Sequence, residues 1–430
     1  MIMLCYISSS WKRRALLAAV AVLWLIPARG QAEPKPGKQD RRVIEMVIAY
    51  VHQAHLTRPE IDDKLSKRLF QRYLNDLDSA KLYFLKEDVD EFKKQETELD
   101  DQLLRGNVTF AYEVYERFLT RLTERQKLIE ELVNAPHDFT VKEYLDSDTD
   151  KIDYAKDEAE LKERWRKRIK FDLLLQRLGT KPVGDAEAKK KVLTRYQGAV
   201  KRWKQLDNYD LLEIYLSDLT TSVDPHSTYM SPGTLDDFDI AMRLNLEGIG
   251  AVLRSENGQT IITEVVPGGA AAKDGRLKVN DKIVGVAQGD GKFTEVVDMK
   301  LREVVKLIRG RRGTTVELRI VPAEKVEPVV VTLKREKIQL KDQEARSEII
   351  EQGKKPDGKP YRIGVIDLPS FYMDMKGRGR SKSATEDVRK ILRDFKAKDI
   401  DGVVLDLRHN GGGALTEALA LTGLFIDRGP

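Results

Sequence analysis

The sequence predicts an α+β protein of several domains: a helical N-terminal domain, a β-rich domain, and the start of an α/β core. Three observations predict it. Helical periodicity dominates from about residue 41 to Leu219, short β-rich runs with glycine turns replace it from Met242 to Glu336, and a strand–helix–strand pattern follows. A chain of 430 residues also exceeds what one hydrophobic core organises.

Hydrophobic content of 41% supports packed cores, and 34% charged residues are nearly balanced in sign. Lys12, Arg13, Arg14 and Arg29, with no acid among the first 30 residues, account for four of the five net positive charges. The rest lacks the clustered basic face that nucleic acid requires, so no nucleic-acid partner is expected.

Residues 1–30 read as a signal peptide. Lys12-Arg13-Arg14 forms a positive segment, and Ala15 to Ala28 is an apolar run of 14 residues, short of the ~20 that span a bilayer. Small residues at Ala28, Gly30 and Ala32 suit cleavage after Gly30 or Ala32. The alternative is an uncleaved anchor. Cys5, the single cysteine, lies within this segment, so no disulfide is expected in the mature chain. Export across a bacterial inner membrane, to the periplasm, is the simplest reading.

Residues 31–235 are expected to form the helical domain after a polar, proline-containing lead-in. Val43, Ile44, Val47, Ile48 and Val51 share one helix face, as do Leu65, Leu69, Phe70, Tyr73, Leu74 and Leu77. His52 and His55 stand three apart, but no acidic or cysteine partner completes a ligand spacing, so no metal and no cofactor is expected.

Residues 238–336 form the β-rich domain. LEGIGAVLRSENGQTIITEVV reads as two strands joined at Asn257-Gly258, and Leu301, Val304, Val305 and Ile308 mark an amphipathic helix. Gly248-Ile249-Gly250, the turn Val266-Pro267-Gly268-Gly269-Ala270-Ala271, and Leu277 with Asn280-Asp281-Lys282-Ile283 resemble a PDZ domain of the bacterial protease type. Such a module captures a peptide's terminal carboxylate in a nest of backbone N–H groups and adds the peptide as a strand. The expected tail-binding residues are Leu246, Gly248, Ile249, Gly250, Leu253, Leu301, Val304, Val305 and Ile308, with the peptide beside Ala251-Val252-Leu253. Gly250→Val is expected to crowd this loop while leaving the fold largely intact. The alternative is that the glycines only make a tight strand entry.

Residues 337–430 read as the start of an α/β core. Tyr361 to Leu368 and Gly402 to Leu407 are strands, the second mostly apolar as a buried parallel strand would be, and Val388, Ile391, Leu392 and Phe395 line a helix between them. Arg408-His409-Asn410-Gly411-Gly412-Gly413 then turns into a further helix, suiting either an anion site or a plain tight turn.

GVVLDLRHNGGGALTEALALTGLFI resembles the start of the protease core of the carboxy-terminal processing (tail-specific) serine proteases. Leu77 to Val89, Asp224 to Pro232 and Ile366 to Tyr372 support the match, which spans nearly the whole mature chain and resembles the long Gram-negative periplasmic type. The resemblance implies an oxyanion-hole N–H within Gly411, Gly412 and Gly413, with Gly413 preferred. It also implies a serine nucleophile in an S-A-S-like stretch and a lysine base about twenty-five residues later. Neither motif occurs in these 430 residues. Both are expected beyond Pro430, leaving this chain inactive. Ser370 is expected to be a groove residue and His409 structural.

Ile338 and Leu340, alternating with polar neighbours in LKREKIQLKDQ, are the expected hinge between tail-binding module and core. The resemblance further implies protein substrates with apolar C-terminal tails and room for a lipoprotein adaptor and peripheral membrane association. A non-catalytic PDZ scaffold that binds tails is the alternative. A heat-shock-type PDZ protease with a Ser-His-Asp triad fits less well, since that class places its catalytic barrel before the PDZ module.

Overall fold

The structure, a computed structural model, describes residues 34–429 apart from 147, 150, 341–342 and 375–381. The expected export signal and its cleavage site lie outside the described residues. Among those described, no helix is long and apolar enough to cross a membrane. The chain divides between Thr228 and Tyr229 into two compact units.

The first unit is helical: α1 (Lys38–Gln53), α2 (Asp63–Asp78), α3 (Lys86–Phe92), α4 (Leu99–Leu104), α5 (Thr109–Asn134), α6 (Glu158–Leu178), α7 (Asp185–Lys204) and α8 (Asn208–Val223). Side-chain caps start several of these helices. Asp62 accepts from the Leu65 N–H, Asp157 from Glu160, and Asp207 from Tyr209 and Asp210. The α2 stripe Leu65, Leu69, Phe70, Tyr73, Leu74 and Leu77 is wholly buried. It meets an aromatic cluster that includes Phe110, Phe118 and Tyr215, with Tyr73 edge-on to Tyr215 at 5.1 Å. A neighbouring core gathers Leu85, Ile129, Leu132, Trp165, Ile169 and Leu173.

Two buried acids hold the chain between α2 and α5. Asp78 accepts the backbone N–H groups of Leu82, Tyr83 and Phe84 at 2.9 Å each. Asp88, fully buried, takes Arg117 at 2.6 Å and Arg121 at 2.8 Å. Burial pushes the Asp88 carboxyl up, but the Arg121, Leu85 and Arg117 hydrogen bonds outweigh it and hold it below the usual carboxylate range.

The second unit opens with α9 (Pro232–Arg243) and a short strand, β1 (Asn245–Gly248). Next come β2 (Ala251–Glu256), β3 (Gln259–Val265), α10 (Ala270–Asp274), β4 (Lys282–Ala287), β5 (Thr294–Glu295), α11 (Leu301–Ile308), β6 (Thr315–Val321), β7 (Val329–Lys334) and β8 (Glu336–Gln339). The sheet runs β2-β3-β4-β6-β7, with β5 on β4. Asn257 and Gly258 both have positive φ, 52° and 78°, as a tight hairpin turn between β2 and β3 demands. Ile262, Ile283, Val286, Val304, Val316, Leu318 and Val331 fill the core between sheet and helices.

The segment of the expected hinge is a paired strand, as the alternation of Ile338 and Leu340 with polar neighbours suggests. β8 runs antiparallel to β1, with Leu246 opposite Ile338 and Asn245 opposite Gln339. Ile338 is buried, and Leu340, one residue past the strand, donates its N–H to the Leu244 carbonyl at 2.9 Å.

β9 (Arg346–Gln352), β10 (Tyr361–Asp367), α12 (Ala384–Ala397), β11 (Gly402–Asp406) and α13 (Leu415–Thr422) complete the unit. β10 and β11 pair in parallel with α12 as the crossover, and β9 pairs antiparallel on the other side of β10. Gly364 of β10 lies so close to α12 that a Cβ there would meet the Phe395 ring at 2.4 Å. The apolar run of β11 is less covered than expected: as an edge strand it leaves Val403 and Val404 at 39% and 49% exposure.

Candidate functional site

The first site is built on β2, the loop before it, and α11. β2 is an edge strand, so among the described residues one of its backbone edges has no partner strand, and its register shifts between Val252 and Leu253. The loop Glu247–Gly250 is tied down from behind. Ala271 donates its N–H to the Ile249 carbonyl at 2.8 Å, and Val266 donates to the Gly250 carbonyl at 2.9 Å. Among the described residues, no acceptor meets the N–H groups of Ile249 and Gly250. Two free backbone donors beside an unpaired strand edge form an arrangement that can hold a carboxylate.

Gly250 has φ +77°, and a Cβ there would lie 3.0 Å from the Gly269 Cα and 3.4 Å from Ile338. Gly250→Val would therefore strain the backbone and press the loop off its support. The expectation that this substitution spares the fold does not hold.

The predicted apolar wall splits into two layers. Leu246, Leu253, Leu301 and Val305 are half-buried, with side chains still open to a ligand. Val304 and Ile308 are buried in the module's own core, with Ile249, because the apolar stripe of α11 points inward to the sheet. They support the site from beneath rather than line it. α11 is also gripped from its outer side by α9, where Arg302 donates to Thr234 Oγ1 and Arg309 pairs with Asp237 at 2.8 Å.

One contributor had no sequence signal beyond a charged run. Arg335, between β7 and β8, is 3% exposed and donates to the Ile308 and Leu307 carbonyls at the C-terminus of α11. It also reaches Thr314 Oγ1, the Thr315 carbonyl and Gln288 Oε1. A cation at this helix end satisfies carbonyls that the helix leaves unpaired.

The second site is the glycine turn after β11. Phe371 N–H donates to the Gly412 carbonyl at 2.8 Å, and Ala414 N–H to the Phe371 carbonyl at 2.9 Å. Gly411 N–H donates to Pro369, Gly412 N–H to the Asn410 side chain, and the Asn410 amide to the Leu368 carbonyl. Among the described residues the Gly413 N–H meets no acceptor. Gly412 and Gly413 have φ of +95° and +143°, and a Cβ on Gly413 would lie 2.4 Å from the Phe371 carbonyl oxygen. Within the glycine run, Gly413 thus keeps an unspent backbone donor while its neighbours are fixed.

A polar lock secures the Phe371 side of this turn. Tyr372 hydroxyl, buried, donates to Asp387 at 2.7 Å, and Lys382 bridges Asp387 at 3.0 Å and Glu344 at 2.7 Å. Burial pushes Asp387 up, yet hydrogen bonds from Tyr372, Lys382 and Lys390 prevail and hold it low. Sequence reading missed this group because its members are scattered among ordinary surface-type residues.

Ser370 is half-buried, while His409 is exposed at φ +64°. His55, for which the sequence offered no acidic partner, contacts Asp224 at 2.8 Å and Thr57 at 2.9 Å.

A helical unit, a β module with an open edge strand and a parallel strand pair ending in a glycine turn point to one class: a multidomain PDZ-bearing peptidase chain. The family described as tail specific protease N-terminal domain matches residues 47–233, the PDZ domain family 238–321, and peptidase family S41 residues 362–430. Along nearly its whole length the chain is similar to the carboxy-terminal processing, or tail-specific, serine proteases. It is 33% identical to the tail-specific protease of Haemophilus influenzae over 431 residues, covering 99% of this chain and 59% of that protein. The carboxy-terminal processing protease CtpA of Bacillus subtilis is 29% identical over 255 residues, covering 59% of this chain and 49% of the relative. The chain therefore spans about half to three-fifths of the length of these relatives. A crystal structure of the PDZ domain of a carboxy-terminal protease from Vibrio cholerae, in complex with peptide, is 43% identical. It covers 23% of this chain and all of that one, with a TM-score of 0.22.

Proposed function

We propose that this chain is the recognition part of a periplasmic serine endopeptidase that reads apolar C-terminal tails through its PDZ module. The observation that carries the reading is the pair of unspent N–H groups at Ile249 and Gly250, next to the open edge of β2 and the accessible side chains of Leu253, Leu301 and Val305. A tail would lie along β2 with its carboxylate on the two donors. The unspent Gly413 N–H supports a role as one donor of an oxyanion hole. The proposal assigns the serine nucleophile and lysine base to none of these 430 residues, so this chain alone should show no serine-dependent cleavage, and its detection would contradict the proposal.

A peptide ending in Ala-Ala or Val with a free carboxylate should bind near the micromolar range, ~−8 kcal/mol. Amidating its terminus removes charge-assisted hydrogen bonds of about 1.5–3 kcal/mol each, so affinity should fall at least about tenfold. Titration calorimetry decides it: equal affinity for acid and amide overturns the reading. Export to the periplasm with loss of residues 1–30 or 1–32 completes the proposal, and mass spectrometry of periplasmic material showing Met1 retained would count against it. A lipoprotein adaptor and peripheral membrane association rest on the family resemblance alone; fractionation leaving the protein wholly soluble and adaptor-free speaks against both.

A further inference from the structure

A second concave site lies at the junction of β7 and β8; it takes in Arg335, which also holds the end of α11 behind the tail groove, but none of the expected tail-binding residues. Its cleft, of about 540 Å³, is lined by the turn after β3, by α10, by the turn between α11 and β6, and by β8. Five cations converge there: Lys273, Arg312, Lys334, Arg335 and Lys337. Glu336 is the one acid of the lining, and its carboxylate is taken by Lys273 at 2.6 Å.

The remaining charge is only partly offset: Glu247, opposite Lys337 in the β1–β8 ladder, accepts the Arg312 backbone N–H at 3.1 Å. Among the described residues, no carboxylate lies within ion-pair distance of the side chains of Arg312, Lys334 or Lys337. Arg335 spends its donors on neutral acceptors only. Four other arginines of the same module are ion-paired: Arg254 with Glu256, Arg276 with Asp274, Arg309 with Asp237, Arg319 with Glu295. Like charges crowded into a concavity repel one another and focus a positive potential, which a bound anion relieves.

Geometry narrows the anion. Arg312, Lys334 and Lys337 come from three separate elements, so their donors approach from three directions. A planar carboxylate is matched by a single guanidinium fork, whereas a tetrahedral phosphate offers oxygens in several directions at once. We propose that this cleft is a binding site for a phosphate-bearing anion, supplied as a free phosphoester or as the headgroup of an anionic lipid. Because Lys337 lies on β8, the strand that leads to Leu340 and the core, an occupied cleft also pins that strand to the turn after α11.

The test uses the whole chain and pyrophosphate as probe, by titration calorimetry at low salt. Combined Arg312→Glu and Lys337→Glu, both at exposed positions, should weaken pyrophosphate binding about tenfold or more. Lys94→Glu with Lys127→Glu, the same charge change on the helical unit, should leave it unaltered. Unchanged thermal unfolding of both variants shows that folding is not the cause, and Arg312→Gln with Lys337→Gln replaces the reversal should it misfold. Flotation with phosphatidylglycerol vesicles but not phosphatidylcholine vesicles, reversed by pyrophosphate, identifies the headgroup as the source. Pyrophosphate binding without flotation identifies a free phosphoester. The proposal is overturned if the wild-type chain fails to bind pyrophosphate, if the double variant binds it equally well, or if a glutamate-rich peptide competes more tightly for the same residues.

Discussion

Replacing the three turn glycines one at a time by alanine should give three different answers. At Gly411 φ is not positive and nothing lies within 4 Å of a new Cβ, so stability should be unchanged to within about 0.5 kcal/mol. At Gly412 there is open space but φ is +95°, and strain alone should cost about 1–3 kcal/mol. At Gly413 a Cβ would sit 2.4 Å from the Phe371 carbonyl oxygen, at φ +143°. To relieve that overlap the Phe371 segment must withdraw, giving up its two hydrogen bonds with Gly412 and Ala414. Each contributes about 0.5–1.5 kcal/mol net, so strain and lost bonds together come to about 2–6 kcal/mol. In a unit of this size that lowers the melting temperature by about 10 °C. Thermal unfolding reads the total, and amide exchange at Phe371 and Ala414 reads the local loss. If Gly413→Ala melts and exchanges like Gly411→Ala, the turn is not held in the way described.

Three further outcomes are expected. Gly364→Ala should destabilise the core by about 2–4 kcal/mol, since its Cβ would fall 2.4 Å from Phe395, and pairing it with Phe395→Leu should recover part of the loss; a strictly additive cycle in urea unfolding refutes the contact. Because the Asp88 carboxyl is held low in the folded state, its stabilisation is present above the unfolded pKa of about 3.9 and is lost as pH falls through the lower folded value. Asp88→Asn should therefore cost about 2–3 kcal/mol at pH 7 and flatten the loss of stability below about pH 4; an unaltered acid profile argues against it. Leu340→Gly, in a chain carrying the whole peptidase core, should retain tail affinity but lose the dependence of cleavage on the tail; wild-type rate and tail dependence would end the hinge reading.

Periodic features were readable from residues alone because each reports a local geometry. The α2 stripe, the Asn257-Gly258 hairpin and the strands flanking α12 all follow from spacing or from backbone freedom. The glycine run marked the second site for the same reason. Contributors assembled from distant positions left no such trace. Arg335 sits in Lys334-Arg335-Glu336-Lys337, which reads as a solvated charge run, yet folding carries its guanidinium to the end of α11. The Tyr372, Lys382 and Asp387 lock is likewise invisible until α12 packs. α11 shows the limit of periodicity itself: an apolar stripe tells which residues are covered, but not whether a ligand or the protein's own core covers them.

The pairing of β1 with β8 has a bearing on how such chains are put together. The strand that enters the β module and the strand that leaves it lie side by side, and immediately outside them the Leu340 N–H meets the Leu244 carbonyl. Entry and exit are thus joined at a single seam. A segment whose ends are neighbours can be lifted out and another set in its place without asking the flanking chain to span a new gap. Recombination at Asn245 and Gln339 would exchange the β module as a cassette, so that a library of grafted modules could be mounted on one unchanged frame.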